Sequence, residues 1–257
     1  MTEPEPEGLK PLCDEIYVVG NGKSLQDFDF EFLKDKIWIG CCLAYRDWER
    51  TGIYPTHYVN IDSQVLKSNI EDIKKLILEK KCKSYIVSQS IIKFWKEIVD
   101  IKEVHFIEQF YHQPYNPFRN LIDYCSGTIA TTYAFLMRPK VINLLGMDCN
   151  YIEFIPECVK QPDGSLKIVK EVLDNPNYYF KDYQRIGDVY NPPNKERVHK
   201  QSWFDYRNLV LTFNIIGRMN TMVYNYNLSD NKELDDFFEK KDITELVPTM
   251  YEIVEKN

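Results

Sequence analysis

Ile16-Tyr17-Val18-Val19-Gly20-Asn21-Gly22-Lys23-Ser24-Leu25 decides how this chain is read: an apolar run passes straight into two glycines and then into a polar segment that starts a helix. A strand end followed by glycines lets backbone N–H groups approach a phosphate closely, and a helix N-terminus behind them adds partial positive charge. The layout is that of a nucleotide site. It is not a Walker A loop, which needs a glycine five residues before its Gly-Lys-Ser, where this chain has Tyr17. Nor is it a dinucleotide fingerprint, because Leu25 takes the place of the third glycine and removes the close helix–strand contact. A glycine turn with no ligand, in an ordinary α/β protein, stays open at this point.

Outward from this stretch, strand-like and helix-like segments alternate. Strands are expected at 15–19, 36–41, 57–61, 83–88 and 103–107, with helices at 28–34, 43–50, 64–80 and 90–98. A small-residue helix follows at 125–137, opened by Ser126-Gly127-Thr128, then a strand at 140–145 ending at Gly146, a helix at 195–216 and a strand at 221–225. Such alternation implies an α/β fold: a single Rossmann-like domain over 15–230, with a mainly parallel sheet and helices on both faces. Ligands of open α/β sheets gather at the carboxyl ends of strands, so Gly20–Gly22, Asn60–Ser63 and Gly146–Tyr151 should meet in one crevice walled by the Ser126 region. Residues of about 150–195, rich in Pro and Tyr, read as an ordered lid inserted in the domain. Residues 1–14 read as a flexible N-terminus and 231–257 as an acidic helical segment.

Charge narrows the partners. The net charge is −7, and residues 230–257 hold nine acids against four lysines, which leaves the body nearly neutral at −2. No basic face suited to a nucleic-acid backbone is implied. Seven cysteines, with Cys41 and Cys42 adjacent and no CxxC spacing, suggest neither a disulfide framework nor zinc, and fit a reducing, cytoplasmic setting. The start, Met-Thr-Glu-Pro-Glu-Pro-Glu, lacks the basic-then-apolar pattern of a signal peptide. No apolar run approaches the roughly 20 residues that cross a bilayer, so a soluble or peripherally attached protein is expected.

Taken in order, Gly20-Asn-Gly-Lys-Ser-Leu25, Tyr54-Pro-Thr-His-Tyr-Val-Asn-Ile-Asp62, Ser126-Gly-Thr128, Leu145-Gly-Met-Asp148 and Tyr224-Asn-Tyr-Asn-Leu-Ser229 make the chain resemble the family-42 sialyltransferases and the related motility-accessory and pterin-diphosphokinase-like proteins. The resemblance implies a GT-A-like Rossmann variant that transfers a sugar from a CMP-activated nonulosonic acid, or a Kdo-type donor, to a glycan or glycolipid with inversion and without a catalytic metal or cofactor. It implies that Gly20, Asn21, Gly22 and Ser24 meet the nucleotide, that Asn60 lies near the donor, that Ser126, Gly127 and Thr128 lie near the sugar carboxylate, and that Asp148 lies at the nucleotide pocket. Lid tyrosines, with Tyr151 a candidate and Tyr178 and Tyr179 as catalytic candidates, would hydrogen-bond the departing phosphate, and a homo-oligomer is implied as well.

The chain departs from the family in two places. Asn177-Tyr178-Tyr179 stands where the sialyltransferases place a lid histidine as general base, and Cys42 stands where they place an asparagine. Tyrosine, with a pKa near 10, is a poor base at neutral pH. His199 is the expected replacement, with His112 as runner-up, whereas His57 and His105 read as strand residues. Two other readings stay open. Asp62 and Asp148 suit Mg²⁺-dependent phosphoryl or diphosphoryl transfer, and a chain without the histidine could bind a nucleotide sugar without turning it over. Asp27-Phe-Asp29 reads as a helix cap and not a metal-binding DxD.

Overall fold

The computed structural model describes residues 11–111, 124–149, 151–152, 154–192, 200–215, 220–226, 232–235 and 237–246. Strand β1 (Cys13–Val19) is followed by β2 (Trp38–Cys41), α1 (Tyr45–Thr51), β3 (His57–Asn60), α2 (Ser63–Ser68), α3 (Ile70–Leu78), β4 (Ser84–Val87), β5 (Val104–Phe106) and α4 (Ile107–Tyr111). Then come α5 (Ser126–Leu136), β6 (Pro139–Leu145), the small strands β7 (Cys158–Lys160), β8 (Leu166–Ile168) and β9 (Val189–Tyr190), α6 (Ser202–Ile215), β10 (Met222–Asn225), α7 (Lys232–Asp235) and β11 (Glu239–Lys240). The main sheet has the order β11-β10-β6-β1-β2-β3-β4-β5, and every pair in it is parallel.

A parallel sheet must be covered on both faces, and β1 shows how. Tyr17 and Val19 point to a core shared with Trp38, Trp48, Tyr58, Tyr85 and the helices α1 to α3. Ile16 and Val18 point the other way, to Ile129, Ala130 and Phe135 of α5 and to Trp203 and Tyr206 of α6. Three of the four tryptophans are at most 1% exposed and Trp95 is 8% exposed, as core residues should be.

Some elements differ from expectation. The expected helix at 64–80 is broken at Asn69, which has φ −123° and ψ 26°. The cause is tertiary: the Asn69 carboxamide is buried, accepting from Arg46 and donating to the Val65 carbonyl. The expected helix at 90–98 is a pair of 3-10 turns, Gln89–Lys93 and Lys96–Asp100. The acidic segment expected to be helical contributes the short α7 and then β11, which extends the main sheet beside β10. Within the insertion, β7, β8 and β9 form an antiparallel sheet of their own.

Candidate functional site

A cleft of about 370 Å³ opens at the carboxyl ends of β1, β2, β3 and β6, and the insertion closes its far side. Gly20, Asn21, Gly22, Cys42, Asp62, Ser126, Gly127, Asp148, Tyr151 and Tyr178 all line it, so the separate sequence motifs do converge. Ser24, Asn60, Thr128 and Tyr179 are not in its wall.

The glycine loop is built differently from a phosphate cradle. Gly20 N–H donates to the Leu145 carbonyl at 2.8 Å and Gly22 N–H to the Gly146 carbonyl at 3.0 Å. Ser24 donates to the Asp148 carboxylate through its N–H at 2.9 Å and its hydroxyl at 2.5 Å. A Cβ at Gly20 would overlap the Gly146 carbonyl, and one at Gly22 the Asp148 carboxylate. The glycines are therefore required by the contact between the β1 and β6 loops. The helix expected behind them is a three-residue 3-10 turn, Lys23–Leu25, too short to carry a useful dipole.

Asn21 is the loop residue left facing the cleft. Its Nδ2 donates to the Cys41 carbonyl at 3.2 Å and to Tyr183 Oη at 3.1 Å. Its Oδ1 is buried and has no hydrogen-bond partner among the described residues. Beside it Cys42 sits in the left-handed region at φ 55°, a conformation that asparagine tolerates better than cysteine. The Cys42 thiol lies 3.2 Å from Ser126 Oγ, and burial pushes its pKa up to about 12. Asn60 is fully buried beneath the floor: it donates to Tyr58 Oη at 2.8 Å, which donates to the Cys42 carbonyl at 2.9 Å. These bonds tie the end of β3 to the turn at Cys42, and Asn60 Oδ1 has no hydrogen-bond partner among the described residues. The Thr128 hydroxyl caps α5, accepting from the Cys125 N–H at 3.0 Å.

Both carboxylates are engaged. Asp62 caps α2 through the N–H groups of Gln64 and Val65 and accepts two bonds from Asn191 of the insertion, at 3.0 and 2.8 Å. Burial raises the pKa of Asp62 and of Asp148. Among the described residues no group of three or more His, Cys, Asp or Glu is placed to hold a metal ion.

The insertion supplies tyrosines. The rings of Tyr178 and Tyr183 stack at 3.6 Å, and Tyr178 Oη donates to Tyr151 Oη at 3.3 Å. Tyr190 completes the wall. Burial holds Tyr151, Tyr178 and Tyr183 well above the usual phenol pKa, so they are neutral donors and not bases. Tyr179 turns away from the cleft, donating to Asp47 at 3.1 Å and stacking on Phe30. His199 and His112 lie outside the described residues. His57 and His105 are in β3 and β5, and burial, with Lys83 and His105, pushes His57 down to about 4.

Sequence reasoning missed Arg46, Tyr183, Asp188 and Trp203. Arg46 and Asp47 are consecutive buried charges between buried Tyr45 and Trp48 in one short helix. The signal the sequence carries for Arg46 is this placing of two adjacent charges between two large aromatics, Tyr45 and Trp48.

No protein-family description matches the chain, and no curated protein matches its sequence. Solved structures do. The sialyltransferase CST-II, in complex with a trisaccharide acceptor and CMP, aligns with a TM-score of 0.50 at 15% identity over 88% of this chain and 85% of that one. The sialyltransferase CstII from Campylobacter jejuni, in complex with the substrate analogue CMP-3FNeuAc, aligns at 0.46 and 16% identity over 88% and 84% of the two chains. The MAf glycosyltransferase from Magnetospirillum magneticum AMB-1 aligns at 0.46 and 15% identity over 85% of this chain but only 32% of that one. The chain thus has the fold of the sialyltransferase CST-II, the fold that the ordered sequence motifs implied.

Proposed function

We propose that this chain is a glycosyltransferase that takes a CMP-activated sugar of the nonulosonic type and transfers it, with inversion, to a glycan or glycolipid hydroxyl. The observation that carries the reading is the cleft: it joins the motif residues Asn21, Ser126 and Asp148 to a wall of neutral tyrosines. The likeness in fold to a sialyltransferase solved with CMP supports it. In the reaction the acceptor oxygen attacks the anomeric carbon, its proton passes to a base, and the bond from that carbon to the phosphate oxygen breaks. Charge then develops on the departing CMP. Preorganised neutral donors stabilise such charge without a metal ion, and this is the role we assign to Tyr151 and Tyr178, which line the cleft.

His199 is the proposed base, since an imidazole titrates near neutrality and the tyrosines here do not. The test is release of CMP from CMP-sialic acid and CMP-Kdo, with EDTA present, by the wild type and His199→Ala. Turnover of one donor that falls about a hundredfold in the variant is expected. Unchanged turnover removes His199 as base, and binding without turnover in the wild type turns the reading into that of a nucleotide-sugar-binding protein.

A further inference from the structure

We propose that Arg46 is a positioning residue of the cleft, holding residues 183–191 of the insertion where they form one wall of the donor site. The inference rests on reading that cleft as a nucleotide-sugar site. Arg46 is on α1, 7% exposed and outside the cleft wall. Its Nη1 donates to Asp188 Oδ2 and to the Tyr183 carbonyl, both at 2.6 Å. Its Nη2 donates to Asp188 Oδ1 at 2.9 Å and to Asn69 Oδ1 at 2.6 Å. Tyr183, Asp188 and their neighbours Gln184, Val189 and Tyr190 all line the cleft.

A buried ion pair contributes little stability over an apolar packing of the same volume, so its effect here is better sought in geometry. A planar guanidinium fork fixes both carboxylate oxygens and a carbonyl at once, which a lysine ammonium does not reproduce. The network then passes on: Asn69 donates to the Ser68 hydroxyl at 2.9 Å, and that hydroxyl exchanges hydrogen bonds with both backbone groups of Val189. Tyr183 is fixed at both ends, by Arg46 at its carbonyl and by Asn21 Nδ2 at its hydroxyl. Arg46 is thereby coupled to Asn21, a residue of the cleft wall whose buried Oδ1 has no hydrogen-bond partner among the described residues, without lining the cleft itself.

Two variants test this. Arg46→Lys keeps the charge and loses the fork, and Asn69→Ala removes one acceptor while leaving the ion pair, so that a folded variant is available if the first does not fold. Amide exchange across 183–191 and CMP affinity by calorimetry are measured well below each unfolding midpoint. Exchange in that segment should rise while β1 and β6 stay protected. The CMP dissociation constant should rise about tenfold for Arg46→Lys and about threefold for Asn69→Ala. Unchanged exchange overturns the proposal, as does a loosened segment with CMP affinity within about twofold of wild type. If the wild type takes no CMP, the nucleotide reading has failed, and exchange alone decides whether Arg46 holds the segment.

Discussion

At Gly22 any side chain would overlap the Asp148 carboxylate, which Ser24 holds from two sides. The glycine that looked like a phosphate contact thus joins the ends of β1 and β6. Gly22→Ala should cost about 2 kcal/mol in urea unfolding, the usual penalty for forcing a group into a filled space. An unchanged midpoint would mean that the loop moves aside freely. Tyr178 and Tyr179 adjoin in sequence and diverge in surroundings: Tyr178 stacks on Tyr183 in the cleft wall, whereas Tyr179 stacks on Phe30 and donates to Asp47. Tyr178→Phe should lower kcat for donor cleavage about tenfold with little change in Tm. Tyr179→Phe should instead cost about 1 kcal/mol, as the buried Asp47 loses a partner, with kcat held. Equal kinetic losses in the two would contradict the placement.

At the scale of elements, the central parallel strands β1 to β4 and β6 were legible because each is a short, largely apolar and largely buried run bounded by turns, whereas the exposed Glu239–Lys240 of β11 read as part of a helix. Helix boundaries were less so. The break at Asn69 comes from Arg46, twenty-three positions away, and local periodicity carries no trace of it. The candidate site divides in the same way. Residues at strand ends, such as Asn21 and Asp148, follow from the general location of ligand sites in α/β sheets. Asn60 and Thr128 have the right sequence position yet bond inward, and Tyr183 and Asp188 belong to an insertion whose path depends on contacts with α1 and α2. No helix among the described residues is long and apolar enough to cross a membrane.

Over the whole molecule, acid sensitivity should depend in part on His57, at the opposite end of β3 from the cleft. Burial, then Lys83 and His105, lower its pKa from 6.5 to about 4. Between those values the unfolded chain takes up a proton that the folded chain refuses. The stabilisation is therefore complete above pH 6.5 and is lost as the pH falls toward 4. Asp62 and Asp148, raised by burial, act with the opposite sign at the acid end. Allowing for partial exposure, wild type should lose roughly 2 kcal/mol more than His57→Gln over this range in urea unfolding. Parallel curves for the two proteins would contradict a neutral buried imidazole.

What occupies the cleft that joins Asn21, Ser126 and the tyrosines of the insertion decides whether this chain acts on a nucleotide sugar. The deciding measurement is calorimetric titration of CMP, and separately of ATP, into the wild type and Asn21→Ala, in EDTA and again with Mg²⁺. Saturable binding of CMP in EDTA is expected, unchanged by Mg²⁺ and at least about tenfold weaker in Asn21→Ala. No binding of CMP in EDTA, or binding of ATP that requires Mg²⁺, would contradict the CMP-sugar reading.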